Sequence, residues 1–592
     1  MEELRAAARE TLQRRDSSII PEARLDSINV PEDLELLWYN VSSYQAKNTT
    51  TTCENLLVAQ AFLTRRSSKS LSETEENALN NLYQWASELA LPSALFATTE
   101  VGSDDVDKSE TIRENKLQLE LAVSVLSGLD SLLQIQKSAH AMDVITALAS
   151  FTSEEDSWTT RDAYTKSRRI LQSFVTNAHG EADSSFWSLV ERILKGRIKR
   201  VFAKTKNPAI TAEGRKNFHP VPLPRFDASI IDPATKPWKI SDVYATTVLA
   251  WVIAQYQGKD RPYLEAHFPL LVPPILALID DDSVAYKTRG CVLLTRLLKP
   301  IRESKSDILQ RTNLASVFED AVRPCLLSLP SITPEDDSIK LLGVAYPALL
   351  SLLQTNYHTT TTARSAANAT RDKYISSVTR TLRENIISSF HHVSSTNRTS
   401  TSSFASFPYP RLSTLLVDQM YPLLLELGIH TTKYLQEIVP LLYSTLSNPF
   451  GTAYPPLLLS AVAVTRAVIL NAHPRLWRWR GEIFGALCSC WLRVVEEEGE
   501  IAERAVKGRS AAEDQETNAA LTKLKKELRG VVYLLRFAVE NPAQADGDAG
   551  QLEAKGAIRK ELQELVDADE SLADLLLADI DPNDADFFGI DP

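Results

Sequence analysis

Residues 263–300 read YLEAHFPLLVPPILALIDDDSVAYKTRGCVLLTRLLKP. We interpret this stretch as two helices, Tyr263–Ile279 and Val284–Lys299, which are joined by an acidic turn at 280–283 and ended by Pro300. Aspartates suit such a turn because their carboxylates accept backbone N–H groups and complement the positive end of the next helix dipole. The stretch therefore predicts a helical hairpin.

A second pair of the same kind follows directly. One helix is predicted over Leu314–Leu329, and the next begins at Pro334 and reaches about Gln354. Proline suits a first helical turn, because its φ is fixed and its missing N–H is not needed there. Two such units of roughly 45 residues in series resemble HEAT or armadillo repeats, which stack to bury their apolar faces. We predict an all-α fold, an α-solenoid of HEAT/armadillo-like helical repeats.

The helical period continues through most of the chain. Apolar side chains recur every three or four residues at Leu117, Leu121, Val125, Leu129 and Leu132, and a stripe of this spacing buries one helix face. The further predicted helices of the C-terminal array are Tyr409–Leu427 (stopped by Gly428), Thr432–Leu446, Leu457–Asn471, Leu476–Glu498 and Ala519–Glu540. Only 19 glycines occur in 592 residues, which argues against a glycine-loop nucleotide-binding core.

Segments that interrupt the period suggest the domain boundaries. Residues 206–239 contain six prolines, so they cannot form one helix, and we interpret them as a segment that crosses between two halves. The predicted divisions are an N-terminal helical region (1–205), the proline-rich crossing segment (206–239), central HEAT-like repeats (240–392), a low-complexity loop (393–408), a C-terminal helical array (409–566) and an acidic tail (567–592).

Charge is concentrated at one end of the chain. The formal net charge is −12, and Glu561 to Pro592 holds eleven acidic and no basic residues, which leaves 64 basic and 65 acidic residues before it. A neutral body lacks the basic footprint of a general nucleic-acid binder. The longest apolar stretch, Leu457–Leu470, is interrupted by Thr465 and Arg466 and is too short for a bilayer. We therefore expect no nucleic-acid and no membrane partner.

The sequence offers no catalytic constellation. No G-x-S-x-G, H-E-x-x-H, phosphate-loop or G-x-G-x-x-G motif is present. Cys488 and Cys490 are two positions apart, so their sulfurs would project about 200° apart around a helix and could not share an ion. His391 and His392 have no third ligand nearby in the sequence. We predict a protein that is not an enzyme, with no catalytic, cofactor-binding or metal-binding residues.

Five scattered cysteines favour a reducing intracellular compartment, and the charged N-terminus has no secretory pattern. We expect a cytoplasmic protein that is also found in the nucleus.

Two segments could bind partners, or could serve the fold alone. A basic cluster from Arg192 to Lys206 holds seven cations between apolar residues, which is typical of an amphipathic helix with a solvated basic face or of a surface for an acidic partner. The segment with Trp477, Trp479 and Arg480 has the composition of a binding hot spot, but such residues also pack inside helical arrays.

A proline-rich loop and the acidic tail complete the candidate surfaces. The loop 448–456 is richer in proline than a generic turn, and the tail combines acidic residues with apolar anchors, as in a motif that orders on binding or an extension that only aids solubility. We expect removal of residues 575–592 to leave the melting temperature almost unchanged. The candidate partner-binding residues are Asn448, Pro449, Phe450, Tyr454, Pro455, Trp477, Trp479, Arg480, Phe587 and Phe588.

Several stretches between about residues 263 and 495 resemble the Tel-two-interacting protein two family. They are Pro273–Asp281, Tyr286–Gly290 with Leu293-Leu294, Asn448–Phe450 with Tyr454–Leu459, and Ala467–Asn471 continuing through Pro474-Arg475 and Trp479 to Leu487–Trp491. The N-terminal third, the serine-rich insert at 394–406 and the acidic tail carry no part of this resemblance.

The resemblance implies a scaffold subunit of the Triple-T (TTT) complex. Its partners would be Tel-two-interacting protein one and, through it, the Tel-two protein. That complex acts as a co-chaperone for phosphatidylinositol-3-kinase-related (PIKK) kinases of the TOR, ATM and ATR types, together with the ninety-kilodalton heat-shock chaperone and its R2TP adaptor. The residues alone leave an alternative open, a helical-repeat adaptor in nuclear transport or vesicle-coat assembly.

Overall fold

The structure is a computed structural model of the chain. It describes residues 2–13, 33–43, 48–66, 71–97, 106–181, 183–203, 205, 207–211, 214–219, 235–357, 364–394, 408–506, 512–540 and 547–577.

Helices make up the regular structure of these residues, apart from one isolated β-bridge between Ile210 and Lys216. The α-helices are α1 (Glu2–Gln13), α2 (Leu34–Ser43), α3 (Thr49–Leu63), α4 (Glu73–Leu89), α5 (Val106–Leu132), α6 (Ala141–Ala149), α7 (Arg161–Glu181), α8 (Asp183–Ile193), α9 (Lys199–Val201), α10 (Pro237–Ile240), α11 (Ala245–Ala254), α12 (Arg261–Ile279), α13 (Val284–Glu303), α14 (Ile308–Thr312), α15 (Leu314–Val322), α16 (Glu335–Asn356), α17 (Arg364–Arg380), α18 (Ser388–Ser394), α19 (Pro410–Leu427), α20 (Leu435–Leu446), α21 (Pro455–Ala472), α22 (Leu476–Val506), α23 (Ala512–Glu540), α24 (Gly547–Ala568) and α25 (Ala573–Leu576). The prediction of an all-α fold is confirmed.

The helices of both predicted pairs are present, with different ends. Helix α13 continues through Pro300 to Glu303, so the prediction that Pro300 ends it is wrong. A proline in the last turn removes only one backbone bond, and the neighbouring Leu297 and Ile301 are fully buried, which favours continuation. Helix α15 ends at Val322, and a 3₁₀ segment, Arg323–Leu327, replaces its predicted last turns.

The chain divides into two compact units. The first comprises Met1–Asp280 and Arg296–Val317, and the second comprises Asp281–Thr295 and Phe318–Pro592. The proline-rich segment 206–239 is flanked on both sides by the first unit, and the predicted domain boundaries remain predictions.

In the first unit, helices α1 to α8 pack on the helix two places along the chain. Helices α3, α5 and α7 contact one another in sequence, and so do α2, α4, α6 and α8. The predicted stripe on α5 is the core of this packing, because Leu121, Val125 and Leu129 are buried. Gly128 permits the close approach of α3, since a Cβ there would lie 3.0 Å from the Cβ of Leu63.

Buried polar contacts fix the register of the first unit. Arg5 on α1 is 3% exposed and donates to Asn55 Oδ1 at 2.8 Å, to Glu54 Oε1 at 3.3 Å and to the Asn40 carbonyl at 2.8 Å. Asp156 lies in a segment that reads as a polar connector, yet its carboxylate is buried and accepts a hydrogen bond from Thr247 on α11. Charged groups in this unit therefore take part in the core.

The described part of the proline-rich segment packs on the first unit. Gly214 has a φ of +68°, and a Cβ at this position would come within 2.7 Å of Pro269 Cα on α12. The Lys216 N–H donates to the Thr312 carbonyl at 3.0 Å. Glycine is required at this position both for its backbone angle and for the lack of space.

The second unit has the same alternate-helix packing from α19 to α23. Helices α16, α19, α21 and α23 contact one another in sequence, α20 contacts α22, and α22 contacts α23. Arg466 on α21 is paired with Glu527 on α23, although Arg466 interrupts the most apolar stretch of the sequence. Gly428 ends α19 with a φ of +52°, as its position in the sequence predicts.

Four helical stretches are long and apolar enough to cross a membrane by length and composition: Gly258–Ile279, Glu335–Asn356, Pro410–Leu446 and Pro455–Arg504. The expectation that no stretch is long enough is therefore wrong. In an apolar 18-residue part of each stretch, between 44% and 61% of the residues are buried inside the protein. Much of their apolar surface thus forms helix–helix contacts.

An aromatic cluster surrounds His267 in the first unit. The indole of Trp187 stacks between Tyr256 and Tyr263, with ring centroids 4.7 Å and 5.2 Å apart. The Tyr256 hydroxyl and His267 Nδ1 share a hydrogen bond of 2.8 Å. Burial lowers the pKa of His267 below its usual range, Glu191 opposes this shift and Lys195 adds to it. The folded chain therefore favours the neutral imidazole.

We predict that His267 makes the first unit less stable as the pH falls below about 7. The unfolded chain takes up a proton near the ordinary histidine pKa while the folded chain resists it, so stability falls by up to about 1.4 kcal/mol per pH unit until the lowered pKa is reached. Thermal melting of the wild type and of His267→Gln between pH 5 and 8 measures the difference. The exposed His391, changed to Gln, is the control; parallel pH profiles for wild type and His267→Gln would contradict the prediction.

Candidate functional site

The loop 448–456 is held by the side chain of Asn448. This residue is 6% exposed, and its Oδ1 accepts a hydrogen bond from the Phe450 N–H at 2.9 Å. Its carbonyl accepts from the Gly451 N–H at 3.0 Å, at the start of a 3₁₀ turn, Gly451–Ala453. The loop then enters α21 through Pro455, which is buried. Asn448 and Pro455 therefore shape the loop from inside.

The outer side of the same loop carries Phe450, which is 51% exposed, next to the exposed Pro449. Tyr454 is half-buried. The Thr452 hydroxyl lies 3.5 Å from Glu497 Oε2 on α22 and ties the loop to that helix. Of the five loop candidates, Phe450 is thus the large apolar side chain that is available to a partner.

Trp477 and Arg480 form a contact within the chain. The Arg480 guanidinium lies 4.3 Å from the Trp477 ring centroid and donates to the Trp477 carbonyl at 2.7 Å. It also donates to both carboxylate oxygens of Glu561 on α24, at 2.7 and 3.1 Å, and this pairing raises the pKa of Arg480. Trp477 remains 39% exposed, and Trp479 is half-buried. Arg480 therefore joins α22 to α24.

The loop and the tryptophan segment lie at opposite ends of α21. They are close in sequence, but the 18 residues of α21 separate them by about 27 Å at 1.5 Å per residue. Closeness in sequence therefore does not make them one surface. They are two separate patches.

The basic cluster has the predicted apolar face. Ile193, Leu194, Ile198, Val201 and Phe202 are buried, and Phe202 stacks on Trp238 with centroids 4.4 Å apart. Arg197 donates to Asp143 at 2.8 Å and Lys195 pairs with Glu191, while Arg192, Lys199 and Arg200 are exposed. Lys204 and Lys206 lie outside the described residues. This geometry favours the amphipathic-helix interpretation.

The cysteines behave as small core residues. Cys488 and Cys490 are 8% and 1% exposed, and burial raises the pKa of their thiols to about 11 and about 12. Such thiols stay protonated at neutral pH and react slowly. Among the described residues, no group of three or more His, Cys, Asp or Glu side chains is arranged to hold a metal ion.

The C-terminal end of the described chain packs against the second unit. Leu572, Leu575 and Leu576 are 5%, 2% and 0% exposed, so the expectation that the chain is solvated from Leu575 onward is wrong for these residues. The sequence analysis did not predict that Trp491, Arg529 and Arg536 contact this segment. The helical spacing of the three leucines is a signal that could have predicted a buried face here. Phe587 and Phe588 lie outside the described residues.

A family model described as the Tti2 family matches residues 144–453, which is just over half of the chain. The chain belongs to the Tti2 family. At the level of the family, this membership supports a subunit of the TTT complex. A comparison with curated proteins found no match.

The Tti2 match begins much earlier than residue 263, where the sequence resemblance starts, and so includes α6 to α11. It ends at residue 453 and therefore contains Asn448, Pro449 and Phe450 but neither Tyr454 nor the tryptophan segment. Of the two patches, only the loop thus lies partly within the segment that defines the family.

We predict that substitution of Asn448 destabilises the protein more than substitution of Phe450. Asn448→Ala should cost about 1–2 kcal/mol, because the buried Asn448 side chain is lost and the partly buried Phe450 N–H loses its acceptor. Phe450→Ala should cost less than about 0.5 kcal/mol, because half of the side chain already faces solvent. Thermal melting of the two variants measures both, and a larger loss for Phe450→Ala would show that the phenylalanine belongs to the core.

Proposed function

We propose that this chain is a non-catalytic scaffold subunit of the Tel-two/Tel-two-interacting-protein (TTT) complex, a co-chaperone for the folding, stability and assembly of PIKK-family kinases. The Tti2 family match over residues 144–453 is the observation that carries the proposal. The largest pKa shifts in the described chain belong to tyrosines and a cysteine. Burial or a single polar neighbour is the main cause of each of these shifts, which supports a structural role for these residues.

The scaffold would be an α-solenoid of HEAT/armadillo-like repeats. Helices α1 to α8 of the first unit and α19 to α23 of the second contact the helices two places along the chain, which is the contact pattern that stacked helical hairpins produce. Such stacks offer long surfaces to partners without a deep pocket. In the second unit, the hollow between α20, α21 and α22 has a volume of only about 10 Å³, room for about one water molecule.

The proposed direct partner is Tel-two-interacting protein one, with the Tel-two protein joined through it. The kinases and the ninety-kilodalton heat-shock chaperone with R2TP would be reached indirectly, in the cytoplasm and the nucleus. Affinity purification of the full chain from cells tests this proposal. Recovery of the two TTT partners and the large kinases would support it, whereas recovery of transport GTPases or coat subunits would favour the adaptor function instead.

We propose the outer side of the loop 448–456 as the contact with Tel-two-interacting protein one. Phe450 is exposed on a loop whose conformation Asn448 fixes, so it is presented without a large loss of conformational entropy on binding. It also lies inside the segment matched to the Tti2 family. Trp477 is partly covered by Arg480 of its own chain and lies outside that segment.

We predict that Phe450→Ala weakens binding of the full chain to Tel-two-interacting protein one by at least tenfold, because an aromatic anchor at the centre of an interface contributes about 2 kcal/mol or more. The dissociation constant is measured with purified proteins. Trp477→Ala is the matched control, since it removes a partly exposed aromatic side chain at the other end of α21. Equal effects of the two substitutions, or none from Phe450→Ala, would place the interface elsewhere.

For the acidic tail, we predict that the double substitution Phe587→Ala and Phe588→Ala lowers recovery of the chaperone or its adaptor and the steady-state levels of the large kinases. Apolar anchors would supply most of the affinity, and the acidic residues mainly the association rate and the salt sensitivity. Binding to Tel-two-interacting protein one should stay unchanged, which serves as the internal control. Normal kinase levels and normal partner recovery would indicate that the tail only aids solubility.

A further inference from the structure

The last helical segment of the described chain is a short strap, residues 569–577. Asp569 caps its start, with its carboxylate accepting the Ser571 N–H at 3.0 Å, and a 3₁₀ turn leads into α25. The strap has the pattern L-x-x-L-L at residues 572–576, and these three leucines are buried. The next residue, Leu577, is 41% exposed. The strap therefore presents one apolar face to the helices beneath it.

Three side chains of α22 and α23 hold the strap by its backbone. Trp491 Nε1 donates to the Ser571 carbonyl at 3.0 Å, Arg529 Nε to the Asp574 carbonyl at 3.1 Å, and Arg536 Nη1 to the Leu576 carbonyl at 3.0 Å. The last carbonyls of a helix accept no hydrogen bond from within that helix, so these three donors cap them. They would bind the same way to the backbone of any short helix placed there.

The floor of this groove is cationic and fixed. Lys525 Nζ and Arg529 Cζ lie 5.0 and 5.2 Å from the Trp491 ring centroid, and Arg529 also lies 3.4 Å from the Asp574 carboxylate. The groove therefore fits a helix that has leucines on its buried face and acidic residues on its solvent side. This is the chemistry by which amphipathic helices are recognised in grooves.

We propose that the groove between α22 and α23, under Trp491, Arg529 and Arg536, is a docking site for an acidic L-x-x-L-L helix of a partner protein. In this structure the strap fills it, and the partner helix takes its place by exchange. Release of the strap breaks three side chain–backbone hydrogen bonds and uncovers three leucines, and a short element with few contacts opens more readily than a long helix. A strap from a second copy fits less well, because the strap follows α24 directly and Glu561 on α24 is bound by Arg480. The inference does not depend on the proposed membership of a complex.

The test uses the full chain and a fluorescent peptide that copies residues 567–577. In the variant with Leu572→Ser and Leu576→Ser the strap should leave the groove, so the peptide should bind at least tenfold more tightly than to the wild type. Leu577→Ser, which changes an exposed leucine of the same strap, is the matched control and should behave as the wild type. Adding Arg529→Ala and Arg536→Ala to the strap variant should abolish binding, as should serines at the leucine positions of the peptide.

A strap variant that keeps its melting transition and does not bind the peptide would overturn the proposal. If the variant does not fold, hydrogen exchange of the wild-type chain decides instead. Fast exchange of the strap amides, made faster by excess peptide, supports the proposal, while protection equal to that of α23 would make the strap a permanent part of the core and overturn it. Concentration-dependent dimerisation that Leu572→Ser and Leu576→Ser abolish would assign the groove to a second copy and would also overturn the partner assignment.

Discussion

The structure depends on burial of apolar helix stripes against the next helix but one. An amphipathic helix cannot cover its own apolar stripe, so it needs a neighbouring helix to complete the core. Helix α5 shows this: Leu121, Val125 and Leu129 are buried while α3 and α7 both pack against it. Stability is therefore distributed along each unit, and its surface is a series of loops and helix ends.

Polar contacts add the specificity that apolar stripes lack. Leucine stripes would allow helices to slide, but Arg5 with Glu54 favours one register, because a buried charge without its partner costs about 3–5 kcal/mol. The partly buried pair of Arg466 and Glu527 favours one register between α21 and α23 in the same way. The same logic fixes the end of the second unit, where Arg480 binds Glu561. Cations on one helix thus determine which later helix can pack against it.

Function in such a fold is carried by what the packing leaves exposed. Asn448 shapes a loop so that Phe450 faces outward. Three donors on α22 and α23 bind backbone carbonyls of the strap, whose leucines are buried beneath it. Neither site needs unusual chemistry. The loop lies between two helices, whereas the groove lies along α22 and α23, where the three donors bind carbonyls of the strap.

The sequence by itself determined the properties that depend on near neighbours. Helical period, the stop at Gly428, the buried stripe of α5 and the apolar face of the basic cluster all follow from residues three or four positions apart. The tertiary structure alone decided contacts between residues far apart in sequence: Trp491 with Ser571, the burial of Leu576, and the placing of Phe450 and Trp477 at opposite ends of α21. Local spacing determines which face of a helix is apolar, but only packing determines which other helix covers that face. The acidic composition after Glu561 predicted a solvated segment, whereas Leu572, Leu575 and Leu576 are buried.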